Sequence, residues 1–494
     1  MNASSPWNLY RAAEVRALDR AAIDEFNIPG QTLMARAGRA AFNELRTQWP
    51  QAQHIGVVCG VGNNSGDGYV LAHCAVQAGM HVTVLQVGDD AQIQGDAQCA
   101  RRDLLATGVP IVPFTAAGLS SAEVIVDALL GTGLGRAVTG DWWAAIEAIN
   151  TAPAPVLALD LPSGLHADTG SVLGVAVRAA STVSFIALKQ GMFTAEGPDH
   201  CGEIVLQDLD VPPQLFERTR PGAVLLAPSN LVTLAPRCRN THKDDYGRVL
   251  VVGGDHGMPG AVRLAAEAAA RSGAGLVTVA TRAAHAASLS GQRPELLCYG
   301  VEQAVQLGPL LSRAQVIVIG PGLGQSSWAR ELFATWLNSA ERPCVVDADA
   351  LNLLAAEPVK RSGWVLTPHP GEAARLLGCS TAEIQADRFQ AAHELQRRYG
   401  GVCVLKGAGT LVVSEEAVAV CAAGNPGMAS AGMGDVLSGV IAALLAQGLA
   451  PSDAARLGVW LHATAGDRAA AEGGLRGLLA RDLIAHLRRL VNSL

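Results

Sequence analysis

The segment GMASAGMGDVLSG (427–439) places three glycines before an aspartate and continues into the apolar stretch VLSGVIAALLAQGL (436–449). The apolar stretch predicts a buried helix, whose first turn has free backbone N–H groups and the positive end of the helix dipole. Glycines at that position allow an anion to approach the backbone closely. Asp435 is therefore either a helix cap or a base beside a bound phosphate, and the rest of the chain must distinguish the two.

The composition indicates a globular chain that is long enough for two domains. Its 494 residues exceed what one ordinary hydrophobic core supports, and 49% of them are hydrophobic while 16% are charged. The formal net charge is −7, and no run of basic residues occurs. We therefore expect no nucleic acid among the partners, because binding to a phosphate backbone needs a basic surface.

The ten cysteines are scattered, with no CxxC pair and no Cys/His spacing typical of a metal site. This distribution favours buried, reduced thiols, as in a reducing cytoplasm. Residues 1–22 lack the charged-then-apolar pattern of a signal peptide. No uncharged apolar run reaches the ~18–20 residues of a membrane span. We therefore expect a cytoplasmic protein without a membrane partner.

The first half of the chain alternates strand-like runs with helical segments such as GDGYVLAHCAVQAG (66–79). Five short apolar runs predict strands: HIGVVCG (54–60), HVTVLQVG (81–88), VIVDALLG (124–131), PVLALDLP (155–162) and STVSFIAL (181–188). Continuous apolar strands separated by helices are typical of a mostly parallel sheet that is covered on both faces.

The second half restarts this alternation after a stretch rich in Pro, Arg, Ser and Asn (212–240). Seven runs predict strands or strand ends: GRVLVVGG (247–254), GLVTVAT (275–281), AQVIVIGPGLG (314–324), RPCVVDADAL (342–351), GWVLTPH (363–369), GVCVLKGAGT (401–410) and LVVSEE (411–416). We therefore predict an α/β chain of two three-layer α/β/α domains, at residues 1–220 and 221–494. No internal repeat relates the two halves, so we expect two different domains.

A glycine-rich segment after the first predicted strand, CGVGNNSGDGYVLA (59–72), is the first candidate site. Four glycines are expected to allow a tight loop against a ligand: Gly60, Gly62, Gly66 and Gly68. Asn63, Asn64 and Asp67 add polar groups to this loop. The spacing is not GxGxxG, and a glycine loop alone is a weak signal. A strand–helix turn with Asx capping is the alternative.

Oxygen-bearing side chains follow three strands of this half. Asn64 follows the strand at 54–60, Asp127 ends the next central strand, and Ser163 follows the strand after that. Polar groups at the carboxyl ends of strands in an open α/β sheet are expected to share one ligand site. Amide, carboxylate and hydroxyl oxygens are hard ligands, which suit an alkali cation or Mg²⁺.

Two further features of this half indicate chemistry on an anionic ligand. The loop GTGLGR (131–136) follows Asp127 and ends in Arg136, which is available for a phosphate. Asp160 is left as a candidate acid/base group. Lys189, which follows SFIAL (184–188), could pair with Asp160. A solvated strand end is the alternative interpretation of Lys189.

Four motifs of this half resemble the NAD(P)H-hydrate epimerase domain: GVGNNSGDG (60–68), DALLGTGLGR (127–136), LDLPSG (159–164) and LMARAG (33–38). The resemblance covers about residues 10–215. It implies a Rossmann-like fold, a bound K⁺ and interconversion of the R and S forms of hydrated NAD(P)H.

By this resemblance, K⁺ is held by Asn64, Asp127 and Ser163, and Asp160 contacts the substrate. The resemblance also implies two substrate loops, which comprise Asn63, Asn64, Ser65, Gly66 and Asp67, and Gly131, Thr132, Gly133, Leu134, Gly135, Arg136 and Ala137. The family usually has glycine where this chain has Ser65, so Ser65 needs an allowed φ angle or a slightly different loop.

The second half contains a candidate anion cradle at VLKGAGTLVV (404–413), which predicts a strand, a glycine turn and another strand. Lys406 and the free amides of residues 407–410 could hold a nucleotide phosphate. Glycines also end strands in YGRVLVVGGDHGMPGAVRLAAEAA (246–269) and GPGLG (320–324).

Two further strand ends of this half carry titratable residues. LTPHPGEAARLLG (366–378) ends a strand with His369 and Glu372, and VVDADAL (345–351) supplies Asp347 and Asp349. A turn histidine is the alternative interpretation of His369, and strand-end caps are the alternative interpretation of the two aspartates.

These loops are expected to form one rim at one edge of a sheet. The rim then holds an anion cradle, a lysine, a histidine and Asp435, which is the equipment for phosphoryl transfer to a hydroxyl. Asp435 would accept the hydroxyl proton, and amides around residues 431–434 would stabilise the charge on the transferring phosphate. We therefore favour the base over the cap as the role of Asp435.

Seven motifs resemble the ADP-dependent NAD(P)H-hydrate dehydratase, a member of the ribokinase-like superfamily: YGRVLVVGG, MPGA, GPGLG, DADAL, LTPHPGE, KGAGT and NPGMASAGMGDVLSG. The match covers about residues 228–490. It implies that ADP drives dehydration of the S-hydrate to give AMP, phosphate and NAD(P)H. The implied route is phosphorylation of the ring hydroxyl followed by elimination of phosphate.

This resemblance also implies the residues that contact each ligand. The hydrate contacts are Ala261, Gly324, His369 and Asp435, and the nucleotide contacts are Lys406, Gly407, Ala408, Gly409, Thr410 and Gly434. Mg²⁺ is expected from the phosphate chemistry, without assigned ligands. Together, the two resemblances imply a multifunctional lyase and isomerase that repairs both epimers, and we expect a homo-oligomer.

Two other functions are consistent with parts of the chain. The second half could be a small-molecule kinase for a hydroxymethyl-pyrimidine or thiazole alcohol, because the same ribokinase-like parts would serve it. The first half argues against this, since such a kinase needs no K⁺-bearing loop domain. The first half could instead be an inactive nucleotide-sensing module, although both Asp160 and the DALLGTGLGR loop are present.

Overall fold

The apolar runs of the sequence form strands in two compact units. In the computed structural model, which describes residues 7–493, the first unit ends at Val224 and the second begins at Leu225. This boundary lies within the Pro-, Arg-, Ser- and Asn-rich stretch of the sequence. Among the described residues, no helix combines the length and the apolar character needed to cross a membrane.

The first unit is built on a parallel sheet of seven strands. The strands of the unit are β1 (Asn8–Tyr10), β2 (His54–Cys59), β3 (His81–Gln86), β4 (Ile111–Pro113), β5 (Val124–Ala128), β6 (Val156–Leu159), β7 (Ser181–Phe185), β8 (Leu188–Lys189) and β9 (Glu203–Gln207), with β10 (Ala223–Leu225) at the boundary. Strands β1, β8 and β10 lie outside the seven-stranded sheet. The parallel sheet has the order β4-β3-β2-β5-β6-β7-β9, and its register places Val57 opposite Val84 and Val126. The strand order reverses between β2 and β5, which is where an open α/β sheet binds its ligand.

Helices cover both faces of this sheet. The helices are α1 (Ala12–Asp24), α2 (Gly30–Gln48), α3 (Asn63–Gln77), α4 (Gly95–Leu105), α5 (Gly140–Thr151) and α6 (Gly197–Cys201). Alternate strand residues point to opposite faces. Val57 and Val126 therefore share a core with α1 to α4, while Val58 and Ile125 share a second core with α5. The unit is a three-layer α/β/α structure, as the sequence predicts.

The second unit contains a longer sheet. Its strands are β11 (Arg248–Val252), β12 (Leu276–Thr281), β13 (Leu297–Gly300), β14 (Val316–Ile319), β15 (Cys344–Val346), β16 (Trp364–Leu366), β17 (Val402–Leu405), β18 (Thr410–Val413) and β19 (Val418–Cys421). They pair in the order β13-β12-β11-β14-β15-β16-β17-β18-β19. The pairs are parallel as far as β17, and β18 and β19 are antiparallel. The strand order reverses between β11 and β14.

The helices of the second unit are α7 (Pro259–Arg271), α8 (Ala283–Gln292), α9 (Gly308–Arg313), α10 (Ser327–Leu337), α11 (Asp349–Ala356), α12 (Pro370–Leu377), α13 (Thr381–Ala386), α14 (Arg388–Tyr399), α15 (Met433–Ala446), α16 (Pro451–Gly473) and α17 (Ala480–Leu490). One hydrophobic core joins α7, α15, α16 and α17 to one face of the sheet, through strand residues such as Val251 and Val318. The alternate residues Leu250 and Ile317 are buried as well. The prediction of α/β architecture is therefore confirmed in both units.

Helix α15 is the predicted apolar helix of the opening segment, and it is buried along most of its length. It packs against α7 at very close range. A Cβ atom on Gly439 would lie 2.0 Å from the carbonyl oxygen of Ala265, so only glycine fits this contact. Backbone therefore touches backbone at this helix crossing, which fixes the position of α15 relative to the sheet.

Some strands carry little sequence signal. Strand β13 has the sequence LCYG and is largely exposed, and β4 is only three residues long. Neither contains the apolar run that predicts a strand. Both extend a sheet at the end of its strand order, where fewer residues are buried by neighbours.

Candidate active sites

The first candidate site lies at the carboxyl ends of the central strands of the first unit. Asn64 is in the first turn of α3, which follows β2, while Asp127 belongs to β5 and Ser163 follows β6. Asn64 Nδ2 donates to the carbonyl oxygen of Leu130 over 3.1 Å. Ser163 Oγ lies 2.6 Å from Asp127 Oδ1, and the Ser163 N–H donates to Asp127 Oδ2 over 2.8 Å. The three side chains that the sequence predicts to be neighbours are thus brought together.

The donor atoms of this cluster fit a hard cation. Burial raises the pKa of Asp127 to about 6, despite hydrogen bonds that Ser163 and Leu129 donate to it. Asn64 Oδ1 is buried, and it has no hydrogen-bond partner within residues 7–493. Across the same range, no group of three His, Cys, Asp or Glu side chains is placed to hold a metal ion. A buried carboxylate beside an unpartnered amide oxygen and a hydroxyl is suited to an alkali cation rather than a transition metal.

Asp160 forms a buried ion pair with Lys189. Lys189 Nζ contacts Asp160 Oδ1, and it also donates to Ser184 Oγ over 2.9 Å and to the Phe185 carbonyl oxygen over 3.1 Å. The Lys189 side chain has no exposed surface, so the alternative of a solvated strand end is wrong. Asp160 adopts a φ angle of 63°, an uncommon conformation for a non-glycine residue that often marks a functional site.

Two further carboxylates lie near this ion pair: Asp19, which the sequence analysis does not identify, and Asp67, which belongs to the first predicted substrate loop. Burial raises the pKa of Asp19 to about 6, and the Asp160 carboxylate acts in the same direction. Burial raises the pKa of Asp67 well above its ordinary value, with Asp160 the next largest cause. Asp19 lies on α1, one turn after Arg16, which reaches the carbonyl oxygen of Thr132 over 3.4 Å. No motif marks Asp19, because it occupies an ordinary position of an amphipathic helix.

The predicted loop at residues 59–72 differs from what its glycines suggest. Residues Asn63 to Asp67 form the first turn of α3 rather than a loop. A Cβ on Gly66 would lie 2.4 Å from Met34 Sδ, and one on Gly68 would lie 2.6 Å from Ala128 Cβ. These two glycines therefore allow close packing of the helix, and the prediction that they shape a ligand loop is wrong.

Ser65 fits the helix that replaces the predicted loop. It has no positive φ angle, it is fully buried, and its Oγ donates to the Ala128 carbonyl oxygen over 3.3 Å. A helical backbone accommodates serine at this position. The conformation expected for a glycine is therefore not required.

The second glycine loop, at residues 131–137, lies beside the same cluster. A Cβ on Gly131 would lie 3.6 Å from Asn64 Cβ and 4.0 Å from Asp160 Oδ2. Gly133, Gly135, Arg136 and Ala137 are exposed, while Thr132 and Leu134 are half-buried. The loop therefore joins the Asn64 cluster to the Asp160 ion pair and presents its far end to solvent.

The second candidate site lies at the start of α15. The cap residue of this helix is Gly432, with a φ angle of 89°, and Asp435 is the third residue of the helix. Asp435 therefore does not occupy the cap position that the alternative interpretation requires. A Cβ on Gly434 would lie 3.1 Å from Lys406 Nζ and 3.6 Å from Asp347 Oδ2. The glycine thus allows the helix start to approach a buried ion pair.

That ion pair links three elements of the second unit. Lys406 Nζ donates to Asp347 Oδ1 over 2.9 Å, and Ser438 Oγ donates to Asp347 Oδ2 over 2.7 Å. Glu372 Oε2 is 3.7 Å from Lys406 Nζ. Asp347 is almost fully buried, so the alternative of a strand-end cap does not describe its role. It joins the end of β15 to both α15 and the turn after β17.

The charges of this cluster set the proton affinity of Asp435. Burial raises the pKa of Asp435 to about 7, and the carboxylate of Asp347 acts in the same direction, against Lys406. Burial is the largest single influence on the pKa of Asp347 and would raise it, but the Lys406 ammonium and the hydrogen bonds to the carboxylate together hold that pKa below its ordinary value. Asp347 is therefore the ionised partner of Lys406, while Asp435 titrates near neutrality.

His369 has a structural role and remains accessible. It is the cap residue of α12, and its Nδ1 accepts hydrogen bonds from the N–H groups of Gly371 (3.0 Å) and Glu372 (3.3 Å). Its side chain is 56% exposed. The turn-histidine interpretation is thus correct in geometry, and the exposed ring is still available to a ligand.

Ala261 faces the GPGLG loop that contains Gly324, at the point where the strand order reverses. Ala261 is in the first turn of α7, and a Cβ on Gly322 would lie 3.1 Å from Ala261 Cβ. Gly324 N–H donates to Asp349 Oδ2 over 2.8 Å. Asp349 thus fixes the GPGLG loop, and its charge also raises the pKa of Asp435. The loops after β11, β14 and β15 therefore share one edge with the start of α15.

Five of the six residues that the sequence assigns to the nucleotide are consecutive in the chain: Lys406 to Gly409 form the turn between β17 and β18, and Thr410 begins β18. Gly407 and Gly409 have φ angles of 136° and 62°, which favour glycine. Thr410 Oγ1 donates to the Gly407 carbonyl oxygen over 3.0 Å. Gly407 and Ala408 are exposed, while Gly409 is buried. The turn is therefore tight and open to solvent next to the Lys406 ammonium.

Two family models match the chain. The model described as the YjeF-related protein N-terminus matches residues 30–191. The model described as NAD(P)H-hydrate dehydratase matches residues 249–489. Among solved structures, an ADP/ATP-dependent NAD(P)H-hydrate dehydratase from Bacillus subtilis, co-crystallised with ATP and Mg²⁺, is 29% identical with a TM-score of 0.46. That similarity covers 53% of this chain and 94% of the Bacillus chain.

Curated relatives resemble the chain over nearly its whole length. A bifunctional NAD(P)H-hydrate repair enzyme of Coxiella burnetii is 53% identical over 486 residues, which cover 98% of this chain and 99% of the relative. The bifunctional NAD(P)H-hydrate repair enzyme of Escherichia coli K12 is 45% identical over 490 residues, with 99% and 95% covered. With this identity across both units, the chain belongs to the family of bifunctional NAD(P)H-hydrate repair enzymes.

Proposed function

We propose that this chain repairs hydrated NAD(P)H by two activities. The first unit interconverts the R and S forms of the hydrate. The second unit dehydrates the S form at the expense of ADP, which gives AMP, phosphate and NAD(P)H. The observation that carries the proposal is the grouping of Lys406, Asp347 and Asp435 at the glycine-lined start of α15.

In the second unit, Asp435 acts as the base. Its pKa of about 7 lets it exist as a carboxylate near neutral pH and still accept a proton. It removes the proton from the ring hydroxyl as the hydroxyl oxygen bonds to the terminal phosphorus of ADP, and AMP leaves. Phosphate then departs with the C–O bonding electrons, and the adjacent carbon loses a proton to form the ring double bond. Phosphorylation is useful because hydroxide is a poor leaving group and phosphate a good one.

The same cluster supplies positive charge for the phosphates. Lys406 stays protonated, because burial lowers its pKa less than Asp347 and Glu372 raise it. Its ammonium and the free amides at the start of α15 would bind phosphate oxygens. Nucleotide contacts are assigned to residues 406–410 and Gly434, and hydrate contacts to Ala261, Gly324, His369 and Asp435. Mg²⁺ would be held largely by the nucleotide phosphates, where it would neutralise their charge.

In the first unit, we assign K⁺ to Asn64, Asp127 and Ser163. The unpartnered Asn64 Oδ1 and the buried Asp127 carboxylate support this assignment. When bound, K⁺ supplies a fixed positive charge beside the substrate. The substrate is assigned to residues 63–67 and 131–137, which flank the point where the strand order reverses.

We assign proton transfer in the first unit to the Asp160–Lys189 pair. Lys189 holds the Asp160 carboxylate at the edge of the site, where 18% of the Asp160 side chain is exposed. Asp19 and Asp67, whose pKa values are raised by burial and by the Asp160 carboxylate, lie close enough to interact with this pair electrostatically. Epimerisation at a hydroxyl-bearing carbon needs one group to accept a proton and another to donate one. The cluster contains both kinds of group.

The proposal is tested by restoring NADH from its hydrate. Purified protein is mixed with NADH hydrate, ADP, Mg²⁺ and K⁺, and the reduced-nicotinamide absorbance is followed at ~340 nm. We expect recovery that requires ADP and consumes both epimers. Recovery of only half of an equal mixture of epimers would show that the first unit does not epimerise. No recovery despite ADP binding would contradict the dehydratase assignment and favour a kinase for another alcohol.

Location and assembly also remain proposals. All ten cysteines are free thiols, which supports a reducing cytoplasmic location. A homo-oligomer is expected from the sequence, and light scattering of the purified protein would test it. No nucleic acid or membrane partner is proposed.

A further inference from the structure

Arg388 is a buried arginine that lies beneath the turn between β17 and β18. Its residue surface is 1% exposed. Its Nη2 donates to the carbonyl oxygens of Leu405 and Lys406, both over 3.2 Å, and its Nη1 donates to Gln385 Oε1 over 2.9 Å. The guanidinium group therefore binds the backbone at the position where β17 ends and the turn begins.

The turn is packed directly onto this guanidinium group. A Cβ on Gly407 would lie 2.8 Å from Arg388 Nη1 and 3.1 Å from Nη2, so a side chain at this position would displace the arginine. Gly407 also has a φ angle of 136°. Two independent features, the left-handed backbone and the close arginine, thus require glycine at position 407.

Peptide geometry extends this contact to the open side of the turn. In a trans peptide the C=O and N–H bonds point in opposite directions. The Lys406 carbonyl oxygen faces Arg388, so the N–H of Gly407 faces away from it. The Lys406 N–H is already used, since it donates to the Pro368 carbonyl oxygen over 2.9 Å. Arg388 therefore selects which backbone amide the turn offers to an anion.

We propose that Arg388 is a positioning residue for the nucleotide. It holds the turn at residues 406–410 so that the Gly407 amide and the Lys406 ammonium face the phosphates of ADP. This inference rests on the proposed function of the second unit. Nη2 donates to both carbonyl oxygens while Nη1 is held by Gln385, and this fixed arrangement of two nitrogens is one that the single ammonium of lysine does not reproduce. Its charge is retained at neutral pH, because burial lowers the pKa of Arg388 only to about 10.

The test compares three variants of the full chain. Arg388→Met removes the donors, and Arg388→Lys keeps a charge without the fork. Arg397→Met is the control, because Arg397 lies on α14 as well and is exposed. Calorimetry gives the Kd for ADP, and steady-state kinetics give kcat and KM for the S-hydrate. We expect Arg388→Met to weaken ADP binding by about tenfold or more, in line with losing charged hydrogen bonds. The hydrate KM should change by less than about threefold.

We expect Arg397→Met to bind ADP as tightly as the unaltered protein. Arg388→Lys should bind ADP more weakly, and Arg388→Met most weakly. A purely structural arginine would instead weaken ADP and hydrate binding together, and that result would overturn the inference. Unchanged ADP binding in a folded Arg388→Met would also overturn it. If Arg388→Met does not fold, Gly407→Ala tests the inference instead, because its added Cβ would collide with the Arg388 guanidinium group and push the turn and the arginine apart. An unaltered ADP affinity in Gly407→Ala would then contradict the inference.

Failure of the proposed function gives a different result. The unaltered protein would then restore no NADH from the S-hydrate, whether or not it binds ADP. ADP binding by the unaltered protein, together with equal binding by Arg388→Met, overturns only the role of Arg388.

Discussion

Lys406 Nζ lies 2.9 Å from Asp347 Oδ1, and this contact joins the turn after β17 to the end of β15. Asp347 Oδ2 is occupied by Ser438 from α15. Both oxygens of the buried carboxylate are therefore used, and the nearby Asp435 is left without the ammonium as a direct partner. The two aspartates therefore have different roles: Asp347 holds the lysine in place, and Asp435 titrates near neutral pH.

Replacing Asp435 by asparagine should remove the base and leave the nucleotide contacts in place. We expect dehydration of the S-hydrate to fall by about 10²- to 10⁴-fold, the usual effect of losing a general base. The Kd for ADP should change by less than about threefold. Single-turnover absorbance measurements and calorimetry check the two quantities. A variant that retains full turnover would show that Asp435 is not the base.

The rate of dehydration should depend on the ionisation of Asp435. The pKa of this residue is raised to about 7, so its ionised fraction falls as the pH drops below 7. We therefore expect kcat/KM to fall about tenfold per pH unit below that value. Asp347→Asn should move this acid limb to lower pH, because it removes a negative charge that raises the pKa of Asp435. A pH–rate profile of both proteins measures the shift.

Glu415→Gln is the matched control for this profile. Glu415 is exposed in the connection between β18 and β19, and it has no role in the proposed chemistry. Its removal changes the net charge by the same amount as Asp347→Asn. An equal shift in both variants would mean that net charge, and not the Asp347 contact, sets the acid limb.

Asp160→Asn should stop epimerisation and spare dehydration. The loss in epimerisation rate is expected to be about 10²- to 10⁴-fold. The change also leaves Lys189 buried without its carboxylate, which costs the first unit about 3–5 kcal/mol. The rate is measured from the exchange between R- and S-hydrate, and the stability from thermal unfolding. Loss of both activities together would instead point to misfolding or to coupling of the two reactions.

The double variant Asp160→Asn with Lys189→Met separates stability from catalysis. It removes the buried charge that Asp160→Asn leaves unpaired, so we expect part of the thermal stability to return. Epimerisation should stay lost. Recovery of epimerisation in the double variant would exclude Asp160 as the acid/base group.

Removal of K⁺ should lower the epimerisation rate. Protein dialysed into choline chloride at constant ionic strength is expected to regain activity when KCl is added back. Below a pH of about 6, protonation of Asp127 should compete with K⁺, so more KCl should be needed for half-maximal activity. The dehydration of purified S-hydrate is the internal control. Equal epimerisation in choline and in K⁺ would contradict the cation site.

The sequence predicts those site residues that lie in glycine-rich strand ends. Asp435, Lys406 and Asp127 all follow or end a recognisable apolar strand or precede an apolar helix, so their neighbourhood can be inferred from sheet topology. Arg388 and Asp19 could not be predicted this way. Each lies on an ordinary helix, and the groups that interact with it are separated from it in the chain, as with the electrostatic effect of Asp160 on Asp19.

The glycines of the first unit show that a sequence pattern can also predict a loop that the structure does not contain. Gly66 and Gly68 suggest a tight loop against a ligand, but in the structure their lack of a side chain allows the helix to pack against Met34 and Ala128. The sequence shows that a position has no side chain. Only the tertiary structure shows whether the absence of Cβ allows a turn, the approach of a ligand or the packing of a neighbouring helix.

The contact of Gly439 with the Ala265 carbonyl oxygen bears on how this enzyme can be re-engineered. A graft that imports α15 from a relative with any larger residue at position 439 would tilt the helix and carry Asp435 out of reach of its partners. Helices α7 and α15 are therefore best exchanged as a single cassette, and a library that varies either one alone should yield mostly inactive clones.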